Sequence, residues 1–234
     1  MTANSLTSAM PTRRRLLAGA AGGATLLLLP ACTTMGGGFS LTEAVRRLLL
    51  LSSENAFARL TAPGGFWDEQ VARIGLGTVM GTRGDILSRI LTSALVKDQL
   101  EERFATFAID ATYRAAPVVT DAIRVIGFQN AVDLVRGGPT AASGYLRQEL
   151  GTALLDAVVP ELGDAIRVSR DPLIGQALGA LTGVDVAGVA NRLGREVDNA
   201  IWGEIAREEA AIRADPRSTR DPVLMSVFGA ARAL

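Results

Sequence analysis

From Ser40 onward the apolar residues recur at intervals of three and four, and no alternating β-branched run of useful length interrupts them. That period lines one face of an α-helix, whereas a half-buried strand needs strict alternation. The chain is therefore expected to be all-α. Ser40 with Glu43 three residues later forms a capping-box pattern. Val45, Leu48, Leu49, Ser52, Ala56, Phe57 and Leu60 then make the stripe of a first helix over about 41–61, broken at Pro63-Gly64-Gly65. Residues 65–84 are rich in glycine and read as irregular, with Phe66 and Trp67 pinned against the core. A second helix is expected from Asp85, and a third from Asp98, where Asp98 and Glu101 repeat the capping box. Pro117 should end or redirect the third helix and suits the first turn of a fourth, which Gly127 stops.

Residues 128–136 read as a short helix closed by Gly137-Gly138. Thr140 and Thr152 are caps for the next two, and Pro160 should kink the second of these. Asp171-Pro172 has the order of a helix start at Leu173, and Asp185 opens the longest helix, which ends at Asp215-Pro216. A last helix covers about 221–228. No internal repeat appears, so the expectation is a single multi-helix bundle of about 8–10 helices, preceded by an N-terminal signal peptide.

That signal peptide is read from Arg13-Arg14-Arg15 followed by the apolar stretch Leu16–Leu29 and then Pro30-Ala31-Cys32. The apolar stretch is shorter than the ~20 residues of a permanent membrane span, and Gly19, Gly22 and Gly23 weaken it as a helix. Leu29 and Ala31 before Cys32 resemble the lipobox of bacterial lipoproteins, in which the thiol receives diacylglycerol and the chain is cut just before it. Cys32 is the one cysteine in the sequence. Two or three acyl chains at ~0.8 kcal/mol per buried methylene give lasting attachment.

Residues 1–31 are thus read as a lipoprotein signal peptide, 32–39 as a flexible tether containing Gly36-Gly37-Gly38, and 40–234 as the helical domain. Arg13-Arg14 with Leu16-Leu17 following suits the twin-arginine route, and a general secretory signal with an arginine-rich start suits the same residues. Cleavage removes three of the 24 basic residues and none of the 24 acidic ones, leaving about −3. Such a body gains nothing from an anionic lipid surface. Thr33 after the cysteine differs from the aspartate of the enterobacterial inner-membrane retention signal, which points to the outer membrane.

Composition excludes several chemistries. With no histidine, no Ser-His-Asp or Cys-His mechanism and no His-ligated metal can be built, and one cysteine permits neither an intramolecular disulfide nor a Cys-rich metal site. Balanced charge gives no reason to expect nucleic acid. No cofactor and no metal is called for.

At the C-terminus the sequence reads Ile205-Ala206-Arg207-Glu208-Glu209-Ala210-Ala211-Ile212-Arg213-Ala214-Asp215-Pro216-Arg217, then Arg220 and Val227-Phe228-Gly229. Together with Gly137-Gly138, Thr140-Ala141-Ala142 and Tyr145, this resembles the bacterial family named domain of unknown function 4197, from about Leu41 to Gly229. The resemblance implies an exported or lipid-anchored helical protein and brings no activity with it. The family commonly has acidic residues where this chain has Gln129, Asn130, Pro139 and Gly144, which counts against a carboxylate-based or cation-binding role here.

Glu209 and Arg213 form an i,i+4 pair of favourable orientation, worth about 0.2–0.5 kcal/mol on a solvated face. Glu204 and Glu208, one turn apart, have the spacing to ligate a hard cation, but no calcium-loop pattern accompanies them. Arg213, Arg217 and Arg220 with Asp215 and Asp221 are expected to tie the tail to the body through ion pairs. Gly137, Gly138 and Thr140 precede a helix whose free N–H groups suit an anion, with Tyr145 and Arg147 one to two turns on. Asp110, Tyr113 and Arg114 are polar groups on an otherwise apolar helix and complete the candidate ligand-binding set. The resulting expectation is a lipid-anchored envelope protein facing the periplasm, held at the membrane by Cys32, whose body binds another protein or an apolar ligand such as a lipid. The alternative is a carboxylate-based or divalent-cation-dependent periplasmic enzyme.

Overall fold

The computed structural model describes residues 40–80, 94–168, 172 and 186–231. Nine α-helices and one 3-10 turn account for them, with no strand among the described residues, so the all-α expectation holds. In chain order they are α1 (Leu41–Leu60), α2 (Phe66–Ile74), α3 (Leu76–Met80), α4 (Ala94–Val125), α5 (Ala131–Arg136), α6 (Ala141–Leu150), α7 (Ala153–Val168), α8 (Val186–Ala214) and α9 (Pro222–Ala231). The 3-10 turn, Pro216–Thr219, separates α8 from α9.

The first helix starts as its capping residues dictate: Ser40 Oγ accepts the Glu43 N–H at 3.1 Å. Its stripe, including Val45, Leu48, Leu49, Ala56 and Leu60, is fully buried. α8 lies along α1 in the opposite direction, because Asn55 meets Glu208 while Arg59 meets Glu204. The start of α1 therefore lies beside the end of α8. On α8, Val189, Leu193, Val197, Ile201, Ile205 and Ile212 face inward, each worth roughly 1.5–3 kcal/mol if fully transferred from water. α7 closes on α8 at Gly194, where a Cβ would stand 2.6 Å from Val159 Cγ2. α4 packs against α1, α2 and α7.

Two expectations about the path of the chain are corrected. The stretch read as irregular after Gly65 is helical over Phe66–Ile74 and again over Leu76–Met80. Trp67, Val71 and Ile74 keep the helical spacing, Asp68 and Glu69 sit at the positive N-terminal end, and the glycines act as boundaries. Gly64 and Gly75 take φ of +64° and +80°, a backbone region costly to residues with a Cβ. Trp67 is buried as expected, edge-on to Phe66, and its indole N–H donates to Thr112 Oγ1 at 3.2 Å.

The expected third and fourth helices are one helix of 32 residues with Pro117 inside it. A proline in a helix interior costs about 3 kcal/mol. The stripe Ala108, Ala111, Ala115, Val119 and Ile123 runs through it unbroken, and burying that whole stripe requires a single rod. The carbonyl deprived of its partner belongs to Tyr113, an exposed residue. Asp98 and Glu101 consequently fall inside α4, where Glu101 pairs with Lys97 at 3.0 Å.

Pro160 is likewise accommodated within α7, on an exposed position. α5 begins at Ala131, three residues later than expected, after Asn130 in the left-handed region at φ 61°. Thr140 precedes α6 but makes no side-chain capping bond. The helices expected from Asp85 and Leu173, and the cap Asp185, fall outside the described residues.

Candidate functional site

Glu209 sits four residues after Ile205 and three before Ile212, so the turn of α8 carries its carboxylate to the buried face along with them. No part of the side chain reaches solvent. Its charge is met by three donors. Oε1 accepts the Ala142 N–H at 3.0 Å, Oε2 accepts the Ser143 N–H at 2.7 Å, and Arg213 Nε donates to Oε1 at 2.8 Å. The first two donors are unpaired amides at the start of α6, where the helix dipole also favours an anion.

Arg213 continues the network outward. Its Nη1 donates to the Val135 carbonyl at 3.0 Å and its Nη2 to the Leu134 carbonyl at 2.8 Å, both at the C-terminal end of α5, where a cation is favoured. The guanidinium carbon lies 4.8 Å from the centre of the Phe228 ring on α9. One buried ion pair thus fastens α5, α6 and α9 to α8. Gly137 lets the α5–α6 turn close over it, since a Cβ there would stand 2.6 Å from Ala141 Cβ and 2.8 Å from the Asp133 carbonyl.

The Glu209–Arg213 pair is therefore no solvated i,i+4 contact. The tail is tied down, in part by partners other than those expected. Arg213 takes the expected Glu209 and, in addition, Phe228; Asp215 accepts the Arg217 backbone N–H at 3.2 Å; Asp221 binds Arg47 of α1 at 3.0 Å. Asp221 also caps α9, accepting the N–H groups of Val223 and Leu224 at 2.7 and 3.2 Å. Burial, the largest single influence, pushes the Asp221 carboxyl up. The Leu224 amide, Arg47 and the Val223 amide together outweigh it and hold the group below its ordinary value.

Further along α8, Glu204 receives Arg59 at 3.2 Å and Arg207 at 2.8 Å, while Glu208 receives Arg207 at 2.6 Å and Asn55 at 3.3 Å. The Arg207 guanidinium is held above its ordinary pKa, chiefly by its bonds to Glu204. Arginines thus engage one oxygen of each carboxylate and Asn55 the second oxygen of Glu208, contacts a divalent cation would compete with. Among the described residues no group of three or more Asp, Glu or Cys side chains has metal-ligand spacing.

The candidate ligand residues engage different elements. Tyr145 donates its hydroxyl to the Gly127 carbonyl at 3.2 Å, with its ring 6.1 Å from that of Phe128. Arg147 reaches α8, donating to Asp198 at 2.9 Å and Asn199 at 2.7 Å. Arg114 pairs with Glu161 of α7 at 2.8 Å, and Asp110 and Tyr113 stand exposed on α4. Gly138 and Thr140 are exposed at the start of α6, two of whose N–H groups already serve Glu209. Arg13, Arg14 and Cys32 lie outside the described residues. The residue that sequence reasoning undervalued is Glu209, and the signal was present: a glutamate in register with Ile205 and Ile212 lies on the inward stripe.

Fold and site together define an all-α domain organised around an internal carboxylate–guanidinium pair that clamps two helix ends and the C-terminal helix. The chain belongs to the family described as protein of unknown function (DUF4197), which matches residues 38–229 and so confirms the resemblance. No curated protein and no solved structure is significantly similar to it.

Proposed function

We propose that the protein is a lipid-anchored component of the bacterial cell envelope, attached through Cys32 and facing the periplasm, with the outer membrane as its destination. Its helical body binds another protein or an apolar ligand and performs no covalent chemistry. The observation that carries the anchoring is Cys32 itself, the chain's one cysteine, standing directly after a cationic cluster and an apolar run. No helix among the described residues is long and apolar enough to cross a membrane, and in this reading the acyl chains supply the attachment.

The binding role draws support from how the buried acids are used. Glu209 is met by two amides and an arginine, and Glu204 and Glu208 are engaged by arginines and Asn55, which favours a cohesive role for these carboxylates. The test is cell fractionation of the full chain beside Cys32→Ala. The wild type should sediment with membranes and resist salt extraction, and the variant should not. Equal partitioning would refute the anchor. Crosslinking in envelope extract should then recover a reproducible protein or lipid. The enzyme alternative is tested by melting with Ca²⁺, Mg²⁺ and Mn²⁺, since an ion at 100 times its Kd would stabilise by about 2.7 kcal/mol.

A further inference from the structure

Of the five exposed large apolar side chains among the described residues, Leu95 and Tyr113 stand at the far end and the middle of α4, while Val125 (81% exposed), Val132 (45%) and Met225 (40%) belong to the end of the body where α1 begins. Val125 ends α4, three residues before Phe128, whose ring lies 5.8 Å from the Arg46 guanidinium on the second turn of α1. Val132 is on α5, which packs against both α1 and α9. Met225 is on α9, which Arg47 of α1 holds through Asp221. Tyr145, half-buried against Phe128, adds an amphipathic ring to the same end, the kind of residue enriched at membrane surfaces.

The sequence fixes how far this end can stand from a lipid anchor. Ser40 follows Cys32 by eight residue steps, and a fully extended chain covers at most about 3.3–3.6 Å per residue, so an acylated Cys32 would keep the start of α1 within roughly 30 Å. The opposite end of α4 is at a different height: Leu95, 66% exposed, precedes Val125 by 30 residues, about 45 Å along a helix. At the tethered end Arg124 is paired with Asp121 and Arg47 with Glu43 and Asp221, and the contact inferred here rests on apolar side chains.

We propose that this end of the body rests on the bilayer, with Val125, Val132 and Met225 entering the headgroup–acyl boundary beside the tether, so that α4 and α8 project away from the membrane. The inference depends on the anchoring through Cys32 proposed above. Interfacial apolar side chains reach about 5–10 Å into that boundary, deep enough for a quencher carried on lipid chains to meet them.

The test places an environment-sensitive fluorophore on Val125→Cys, Val132→Cys, Met225→Cys and, as the distal control, Leu95→Cys. Each variant is expressed from the full chain, isolated lipidated and reconstituted in phosphatidylethanolamine/phosphatidylglycerol vesicles. Acylation of Cys32 is verified by mass, which also leaves the introduced thiol as the only one available to the label. Probes at 125, 132 and 225 should be blue-shifted and quenched by bromolipid, and the probe at 95 should be neither. Acylated protein whose four probes all stay in water overturns the inference and leaves the anchor intact. Probes shielded from water but untouched by bromolipid would mean that protein covers this end, and overturn it too. A chain without acyl groups on Cys32 refutes the anchoring and the inference together.

Discussion

Replacing Glu209 with glutamine keeps the volume of the side chain and removes its charge, which isolates the role assigned to the buried pair. The amide offers one acceptor oxygen where the carboxylate offered two, so one of the three donors from Ala142, Ser143 and Arg213 meets an NH2 group instead. A buried charged hydrogen bond contributes about 1.5–3 kcal/mol, and stripping a buried ion of its counter-ion costs about 3–5 kcal/mol. Arg213 keeps the carbonyls of Leu134 and Val135, which limits the loss. A net destabilisation of about 3–4 kcal/mol is expected, a large part of the 5–15 kcal/mol that holds a typical domain folded. Urea unfolding measures it, with an unchanged m-value showing that the unfolded state is unaffected. At about 2–4 °C per kcal/mol, the melting temperature should fall by roughly 6–16 °C. Arg213→Met combined with Glu209→Gln should cost less than the two singly by about 0.5–3 kcal/mol, because each single change orphans the other partner. A loss below about 1 kcal/mol for Glu209→Gln, the ceiling for exposed pairs, would refute the account of this site.

Other parts of the structure give separate checks. Gly137→Ala forces a Cβ onto Ala141 and the Asp133 carbonyl and should cost about 1–3 kcal/mol, whereas Gly138→Ala meets nothing within 4 Å and should be near neutral by the same denaturation assay. Thr112→Val leaves the buried Trp67 N–H without its acceptor and should cost about 1–3 kcal/mol, visible also as a shift in tryptophan emission. Asp221 titrates below its unfolded value, so its contribution is complete above the ordinary carboxylate range and disappears as pH falls through the folded value. Asp221→Asn should therefore be less stable than the wild type at neutral pH, with the gap closing in acid; a gap constant from pH 7 to pH 2 would contradict the assignment.

Where the apolar stripe was long and its end residues were conventional, the sequence was sufficient. α1 begins at Ser40 and α8 ends before Asp215-Pro216 as their patterns require. The failures have physical causes. Glycine density around Gly64 and Gly75 marked the ends of α2, and the three-four spacing of Trp67, Val71 and Ile74 between them outweighed it. Pro117 carries a strong local penalty, yet the apolar face on both of its sides packs against one surface, so tertiary burial prevailed. Glu209 was harder still. Its register with Ile205 and Ile212 is local information, but its two amide donors lie 66 and 67 residues upstream and only the fold joins them. For the same reason the Gly137–Thr140 turn read as a place for an external anion, although the chain supplies an anion of its own to the helix that follows.

Under the proposed function the helical body hangs from lipid on Cys32. Intact mass measurement of the protein extracted by detergent from native envelopes tests it most directly. The expected species begins at Cys32, lacks residues 1–31 and carries the added mass of a diacylglyceryl group. A full-length chain with an unmodified thiol would contradict it.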